Sequence, residues 1–178
     1  MAHLGMIHGR FQPFHKEHLQ YLLSALERCE HCVVGITNPE PSEFNEEVTS
    51  GHRHLPASNP YTYFQRAEMI RRSLIAERIE INKISFVPFH IFDTSKWYFY
   101  LPKPNSTVQY VRLFSSWERK KVGLFYAYGF QVEILDEGAV KNIEATQVRQ
   151  LMEVGGDWKK LVPDGTIQVI EMIKNGLL

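Results

Sequence analysis

Cysteine is scarce in this 178-residue chain. Two residues, Cys29 and Cys32, do not make a disulfide scaffold, and a reduced cytoplasmic protein is the expectation. Net charge is absent as well: 20 Lys and Arg balance 20 Asp and Glu. That balance removes the positive surface a sequence-blind nucleic-acid binder needs, so no nucleic-acid partner is expected. No stretch approaches about 18 consecutive apolar residues, and the amino terminus lacks the cationic start and apolar core of a signal peptide, so no membrane association is expected. Internal repeats and low-complexity tracts are missing too, which excludes solenoids and linker-like segments. What is present is ordinary globular usage, 44% hydrophobic and 22% charged. The length falls within the range of about 100–200 residues typical of one domain, so residues 1–178 read as a single domain.

Strand and helix signals alternate along it. Leu4 to His8 is a short apolar run ending at Gly9 and reads as a buried strand. Leu19, Leu22, Leu23 and Leu26 recur at helical spacing, and Cys32 to Thr37 is the next buried run. A polar stretch from Asn38 to Pro60 follows, long enough for a functional loop. Thr62 and Gln65 have capping-box spacing and open a helix with Met69, Ile70 and Leu74 on its core face. Ile84 to Ile91, Val108 to Phe114 and Phe130 to Leu135 are further strand candidates. Ser115 and Glu118 suggest a second capping box, and that helix stops at Gly129. Two helices close the chain, Ala145 to Val154 and Pro163 to Lys174, with Pro163 in the first turn. This alternation predicts an α/β protein: a Rossmann-like, doubly wound parallel sheet in a three-layer α/β/α arrangement. Ligands then belong beyond the carboxyl ends of the strands.

The first strand–helix junction carries the densest chemistry. Gly9, Arg10, Phe11, Gln12, Pro13, Phe14, His15, Lys16, Glu17 and His18 precede the leucine stripe. His15 and His18 are three apart at a helix start, where backbone N–H groups and the positive end of the dipole favour an anion, phosphate above all. His-x-x-His is also half of a metal site, but zinc normally takes three or four protein ligands and no second cluster accompanies the pair, so no protein-bound metal is assigned. Cys29-Glu30-His31-Cys32 has CxxC spacing, yet it joins a helix end to a strand start and is given no redox role.

The run from Gly9 to His15 followed by His18 strongly resembles the signature of the HxGH nucleotidyltransferase superfamily, and within it archaeal-type nicotinamide mononucleotide adenylyltransferases and the related small cytidylyltransferases. Ile143, Thr146 and Arg149 resemble the superfamily's late Ile-Ser-x-Thr-x-x-Arg segment. Asp157, Trp158, Leu161, Val162 and Pro163 resemble its carboxyl end, and Asn59, Pro60, Thr62 and Arg66 its second helix start. The resemblance implies transfer of a nucleoside monophosphate from ATP or CTP to a small phosphorylated acceptor, with release of pyrophosphate. ATP with nicotinamide mononucleotide, giving NAD, is the first expectation; CTP with a phosphate- or phosphonate-bearing molecule is the alternative. It also implies catalytic roles for His15, His18 and Arg149, and nucleotide contacts at Gly9, Arg10, Phe11, Glu17 and Thr146; Lys120, near another helix start, is a further candidate contact to the triphosphate. Thr146 is expected to cap the late helix, and Mg²⁺ to accompany the triphosphate. Acceptor contacts are expected at Arg53, His54, Arg66 and Trp97.

Several positions carry a plainer reading beside the functional one. Arg53 and His54 also suit a solvated loop, Trp97 suits a core, and Lys120 lies in the Arg119–Lys121 charge run typical of a solvated face. Glu17 stands where the family keeps glycine, and Glu144 and Ala145 where it keeps serine and glycine. A carboxylate beside a triphosphate repels it unless paired, so a nucleotide-binding module without turnover is a further alternative. Glu17 also suits the third position of the helix, where its charge favours the dipole. A homo-oligomer is compatible with the sequence.

Overall fold

Short runs of Val, Ile and Phe bounded by Gly, Pro and polar residues become strands, and the leucine- and methionine-striped segments become helices. The computed structural model describes residues 1–43, 55–137 and 140–178. In it β1 (Ala2–Gly9) leads into α1 (Lys16–Leu26) and β2 (Cys29–Thr37), followed by α2 (Tyr63–Ala76) and β3 (Ile84–Phe89). The aromatic stretch forms a one-turn helix, α3 (Trp97–Tyr100), before β4 (Thr107–Leu113), α4 (Ser116–Ala127) and β5 (Gln131–Glu137). The chain ends with α5 (Ala145–Glu153) and α6 (Asp164–Lys174). All five expected strands are present, with β2 beginning at Cys29 instead of Cys32.

The strands form one parallel sheet in the order β3-β2-β1-β4-β5. Connections step outward from β1 to β3 and then return across the sheet to β4. That reversal is the switch of a doubly wound, Rossmann-like α/β fold, and it lies between β1 and β4. Pro88 falls inside β3, where it is tolerated because β3 is an edge strand.

Contacts divide the chain into two compact units. A sheet unit comprises Met1–Gly9, Tyr21–Asn38 and Lys83–Lys141; a helical unit comprises Arg10–Gln20, Pro39–Asn82 and Asn142–Leu178. In the sheet unit, Met6, Val33, Phe89, Trp97, Val111, Phe125 and Phe130 form the core. Each such side chain contributes about 1.5–3 kcal/mol by leaving water. α4 is capped by Tyr128 and followed by Gly129, whose φ of +91° permits a Schellman turn: Gly129 N–H donates to the Tyr126 carbonyl and Phe130 N–H to the Phe125 carbonyl. The start of α4 differs from expectation. Ser115 is its N-cap but makes no side-chain cap bond; its hydroxyl donates to the Glu118 carboxylate instead, so no reciprocal capping box forms.

In the helical unit the Thr62–Gln65 capping box is complete, with Gln65 N–H donating to Thr62 Oγ1 and Thr62 N–H to Gln65 Oε1. Pro163 is the N-cap of α6, one residue earlier than its expected place in the first turn. α6 packs on α2 at the closest approach its backbone allows: a Cβ on Gly165 would lie 2.0 Å from Ser73 N. The obstacle is backbone, so no rotamer change relieves it. Gly165→Ala is expected to cost about 3 kcal/mol, read as a lowered denaturation midpoint; an unchanged midpoint would show that α6 slides freely on α2. No helix among the described residues is long and apolar enough to cross a membrane.

Candidate active site

The loop leaving β1 turns on Phe11, whose φ of 54° is in the left-handed region. That conformation costs a bulky residue about 1–2 kcal/mol. It is held by burial: Phe11 and Phe14 are both sequestered, with their rings edge to face at 5.7 Å. The aromatic pair forms a seat for His18, which meets Phe11 edge-on at 5.0 Å and stacks on Phe14 at 5.8 Å. His15 lies parallel to His18 with ring centroids 3.5 Å apart. The backbone N–H of His15 donates to His18 Nδ1 at 3.3 Å. An Nδ1 that accepts leaves Nε2 as the proton-bearing nitrogen, so the His18 donor has a defined position. The His15 carbonyl accepts from Leu19 N–H and begins α1. Glu17 is therefore the second residue of α1, not the third; it is buried, and its carboxylate accepts from Asn142 N–H at 2.8 Å.

The second motif opens α5. Its N-cap is Glu144, which makes no side-chain cap bond, so the expected cap at Thr146 is corrected. Thr146 sits inside the first turn, where its hydroxyl accepts from Arg149 Nη2 at 3.2 Å. Arg149 Nη1 donates to the Gln12 carbonyl at 2.6 Å across 137 residues of sequence. Burial lowers the pKa of the Arg149 guanidinium. The loop that leads into the imidazole pair and the Thr146–Arg149 turn are thus tied to each other within the helical unit. Together they offer imidazole N–H, guanidinium, hydroxyl and helix-start N–H donors, a set suited to a polyanion.

The same unit braces this arrangement through residues that local spacing does not announce. Gln12 and Tyr61 form a reciprocal pair, with Gln12 Nε2 donating to the Tyr61 carbonyl at 2.9 Å and Tyr61 N–H to Gln12 Oε1 at 3.0 Å. Thr166 donates its hydroxyl to the Phe14 carbonyl at 3.0 Å. Arg10 reaches the Ser58 carbonyl and Asn59 Oδ1, each at 3.4 Å. Arg66, expected to contact the acceptor phosphate, is 1% exposed and donates to the Arg10 carbonyl at 2.8 Å and the Thr62 carbonyl at 3.2 Å. Burial pushes its pKa down to about 10, and the two carbonyls offset part of that desolvation. Arg66 is placed as a brace of the turn.

Gly9, Trp97 and Lys120 belong to the sheet unit. Gly9 closes β1 and Lys120 is exposed on α4. Trp97, expected to stack on nicotinamide, is 1% exposed. Its indole N–H donates to the His90 carbonyl at 2.9 Å, and its ring packs against Phe89, Phe125, Tyr128 and Phe130. That is a core position. Arg53 and His54 lie outside the described residues. Among the described residues no three His, Cys, Asp or Glu side chains converge as a metal site.

Residues 6–151 match the cytidylyltransferase-like family. The chain is 36% identical over 172 residues to a phosphonoformate cytidylyltransferase of Streptomyces viridochromogenes, covering 96% of this chain and 92% of that protein. It is 28% identical over 173 residues to a nicotinamide-nucleotide adenylyltransferase of Saccharolobus solfataricus, covering 96% and 91%. Among solved structures, a bifunctional NMN adenylyltransferase/ADP ribose pyrophosphatase from Francisella tularensis superimposes with a TM-score of 0.67 at 21% identity. That match covers 98% of this chain but 50% of the bifunctional one, and it supports the Rossmann-like fold alone.

Proposed function

The chain belongs to the cytidylyltransferase-like family and is a nucleotidyltransferase, and from that premise we propose that it transfers a cytidylyl group from CTP to a phosphate- or phosphonate-bearing small acceptor, releasing pyrophosphate. The observation that carries this reading is the bond from Arg149 to the Gln12 carbonyl, which ties the two motif segments to each other. CTP is preferred on two counts. The cytidylyltransferase relative shares more of the sequence than the adenylyltransferase relative, 36% against 28%. The aromatic expected to stack on nicotinamide is also packed in the core. A second reading, adenylyl transfer from ATP to nicotinamide mononucleotide, is favoured by the nicotinamide-nucleotide adenylyltransferases among the relatives.

An acceptor phosphate or phosphonate is already anionic near neutral pH, so the reaction needs neither a general base nor a covalent nucleophile. Catalysis reduces to holding two anions in line and stabilising the charge that gathers on the transferred phosphorus and the leaving pyrophosphate. In this reading His15 and His18 donate to oxygens of the α-phosphate. The start of α5, with Thr146, receives the β and γ phosphates, and Arg149 and Arg10 offset their charge. The donor set of imidazole, guanidinium and hydroxyl suits phosphate better than a hard cation. Mg²⁺ would enter only as a companion of the triphosphate, where it would neutralise part of the phosphate charge beside Arg149 and Arg10. A single nucleotidyltransferase domain acting in the cytoplasm is the setting proposed; the two cysteine thiols, unpaired in a disulfide, fit a reducing compartment.

The test is pyrophosphate release from CTP or ATP with phosphonoformate, simple phosphate esters and nicotinamide mononucleotide as acceptors. Turnover is expected with CTP and a phosphonate or phosphate acceptor. Turnover confined to ATP and nicotinamide mononucleotide would replace this reading with the second. Nucleotide binding with no pyrophosphate release would instead indicate a binding module.

A further inference from the structure

We propose that Glu17 is a positioning residue, whose carboxylate holds the segment before α5 in place so that Thr146 and Arg149 stay beside the imidazole pair; this rests on the nucleotidyl-transfer reading. Among the described residues, two ties join the segment around the start of α1 to the segment around the start of α5 within the helical unit. One is Arg149 itself, with Nη1 on the Gln12 carbonyl and Nη2 on the Thr146 hydroxyl. In this reading Arg149 also turns its remaining N–H donors to phosphate, so this tie is shared with the substrate. The other tie is the 2.8 Å bond from Asn142 N–H to Glu17 Oε1, which uses no ligand-facing cation. Asn142 lies three residues before α5 begins, so fixing it fixes where the helix starts.

Glu17 suits the task physically. It is 7% exposed, and a buried carboxylate is stable only where donors face it. The second position of α1 places its charge at the positive end of the helix dipole. The backbone donor engages one oxygen, so the tie depends on an acceptor at that reach. A negative charge between two phosphate-binding imidazoles would oppose a triphosphate if it faced the ligand. Directed at the backbone of a neighbouring segment, it organises the cradle instead.

The experiment compares Glu17→Ala, Glu17→Gln and Glu17→Asp by amide hydrogen exchange at Asn142 and by steady-state kinetics with CTP and ATP. Glutamine retains an oxygen acceptor at the same reach, whereas aspartate retains the charge one methylene short. In Glu17→Ala the Asn142 amide is expected to exchange about tenfold faster and KM for the triphosphate to rise about tenfold, with kcat changed less than about threefold. That is the pattern for loss of a contact made equally in the ground and transition states. Glu17→Gln should restore both readouts to within about threefold of wild type, and Glu17→Asp should behave like the alanine variant. If Glu17→Ala does not fold, the contrast between glutamine and aspartate decides the question alone. Unchanged exchange at Asn142 in the alanine or aspartate variant would overturn the proposal, as would an aspartate variant as active as wild type beside a crippled glutamine variant. A wild-type enzyme that turns over no triphosphate strikes the functional reading, while the exchange comparison still decides the tie.

Discussion

Replacing His18 by alanine is expected to lower kcat about 10²–10³-fold while moving KM for the triphosphate by no more than about threefold. The asymmetry follows from how the ring is held. Phe11 and Phe14 seat it, His15 stacks on it, and the His15 N–H occupies Nδ1, so Nε2 presents its proton in one orientation. A donor fixed before substrate arrives pays no reorganisation as charge builds on the phosphorus centre, and its contribution is largest in the transition state. His18→Phe sharpens the test. It keeps an aromatic ring in the seat while removing both nitrogens, so kcat should fall as far as in the alanine variant while thermal stability stays nearer to wild type. A rise in KM with kcat intact in either variant would mean that His18 serves binding alone.

The sequence discloses the elements of this protein better than their mutual bracing. Apolar runs at Met6–Ile7 and Val33–Val34 suffice to place the central strands, and the Thr62–Gln65 box and Gly129 mark helix ends because those bonds close within one turn of chain. The imidazole pair is legible for the same reason, since three-residue spacing at a helix start puts both rings on one side. What stays hidden is which of several possible partners a side chain takes. Ser115 and Glu118 have capping-box spacing, yet the hydroxyl turns to the carboxylate and leaves the backbone. Thr146 resembles a cap but sits inside the helix, because the chain enters α5 through Glu144. Arg66 has the chemistry of a phosphate ligand. Its assignment as a brace depends on the Arg10 carbonyl, 56 residues away, and no local pattern encodes that neighbour. Trp97 shows the limit from the apolar side, since an aromatic run has the same sequence whether it lines a pocket or fills a core.

Arg149 carries the second large expectation, because it acts in two capacities that substitution can separate. Its guanidinium spans from the Gln12 carbonyl at 2.6 Å to the Thr146 hydroxyl at 3.2 Å. In the proposed reaction the same charge, held near the start of α5, offsets that of the departing pyrophosphate. Alanine removes both and is expected to reduce kcat/KM about 10³-fold. It also leaves the Gln12 carbonyl short of a partner, for a stability loss of about 1–3 kcal/mol. Lysine keeps the charge but replaces a planar fork with a single ammonium, which cannot span the two acceptors and a phosphate together. Arg149→Lys should therefore recover most of the stability and only part of the rate, remaining about 10²-fold below wild type in kcat/KM. Denaturation midpoints and kinetics measured on the same preparations separate the two effects. Full recovery by lysine would reduce the role of Arg149 to bulk charge. An alanine variant with normal kcat/KM and lowered stability would make it a tie between the motifs and nothing more, and the phosphate cradle would have to be built on other cations.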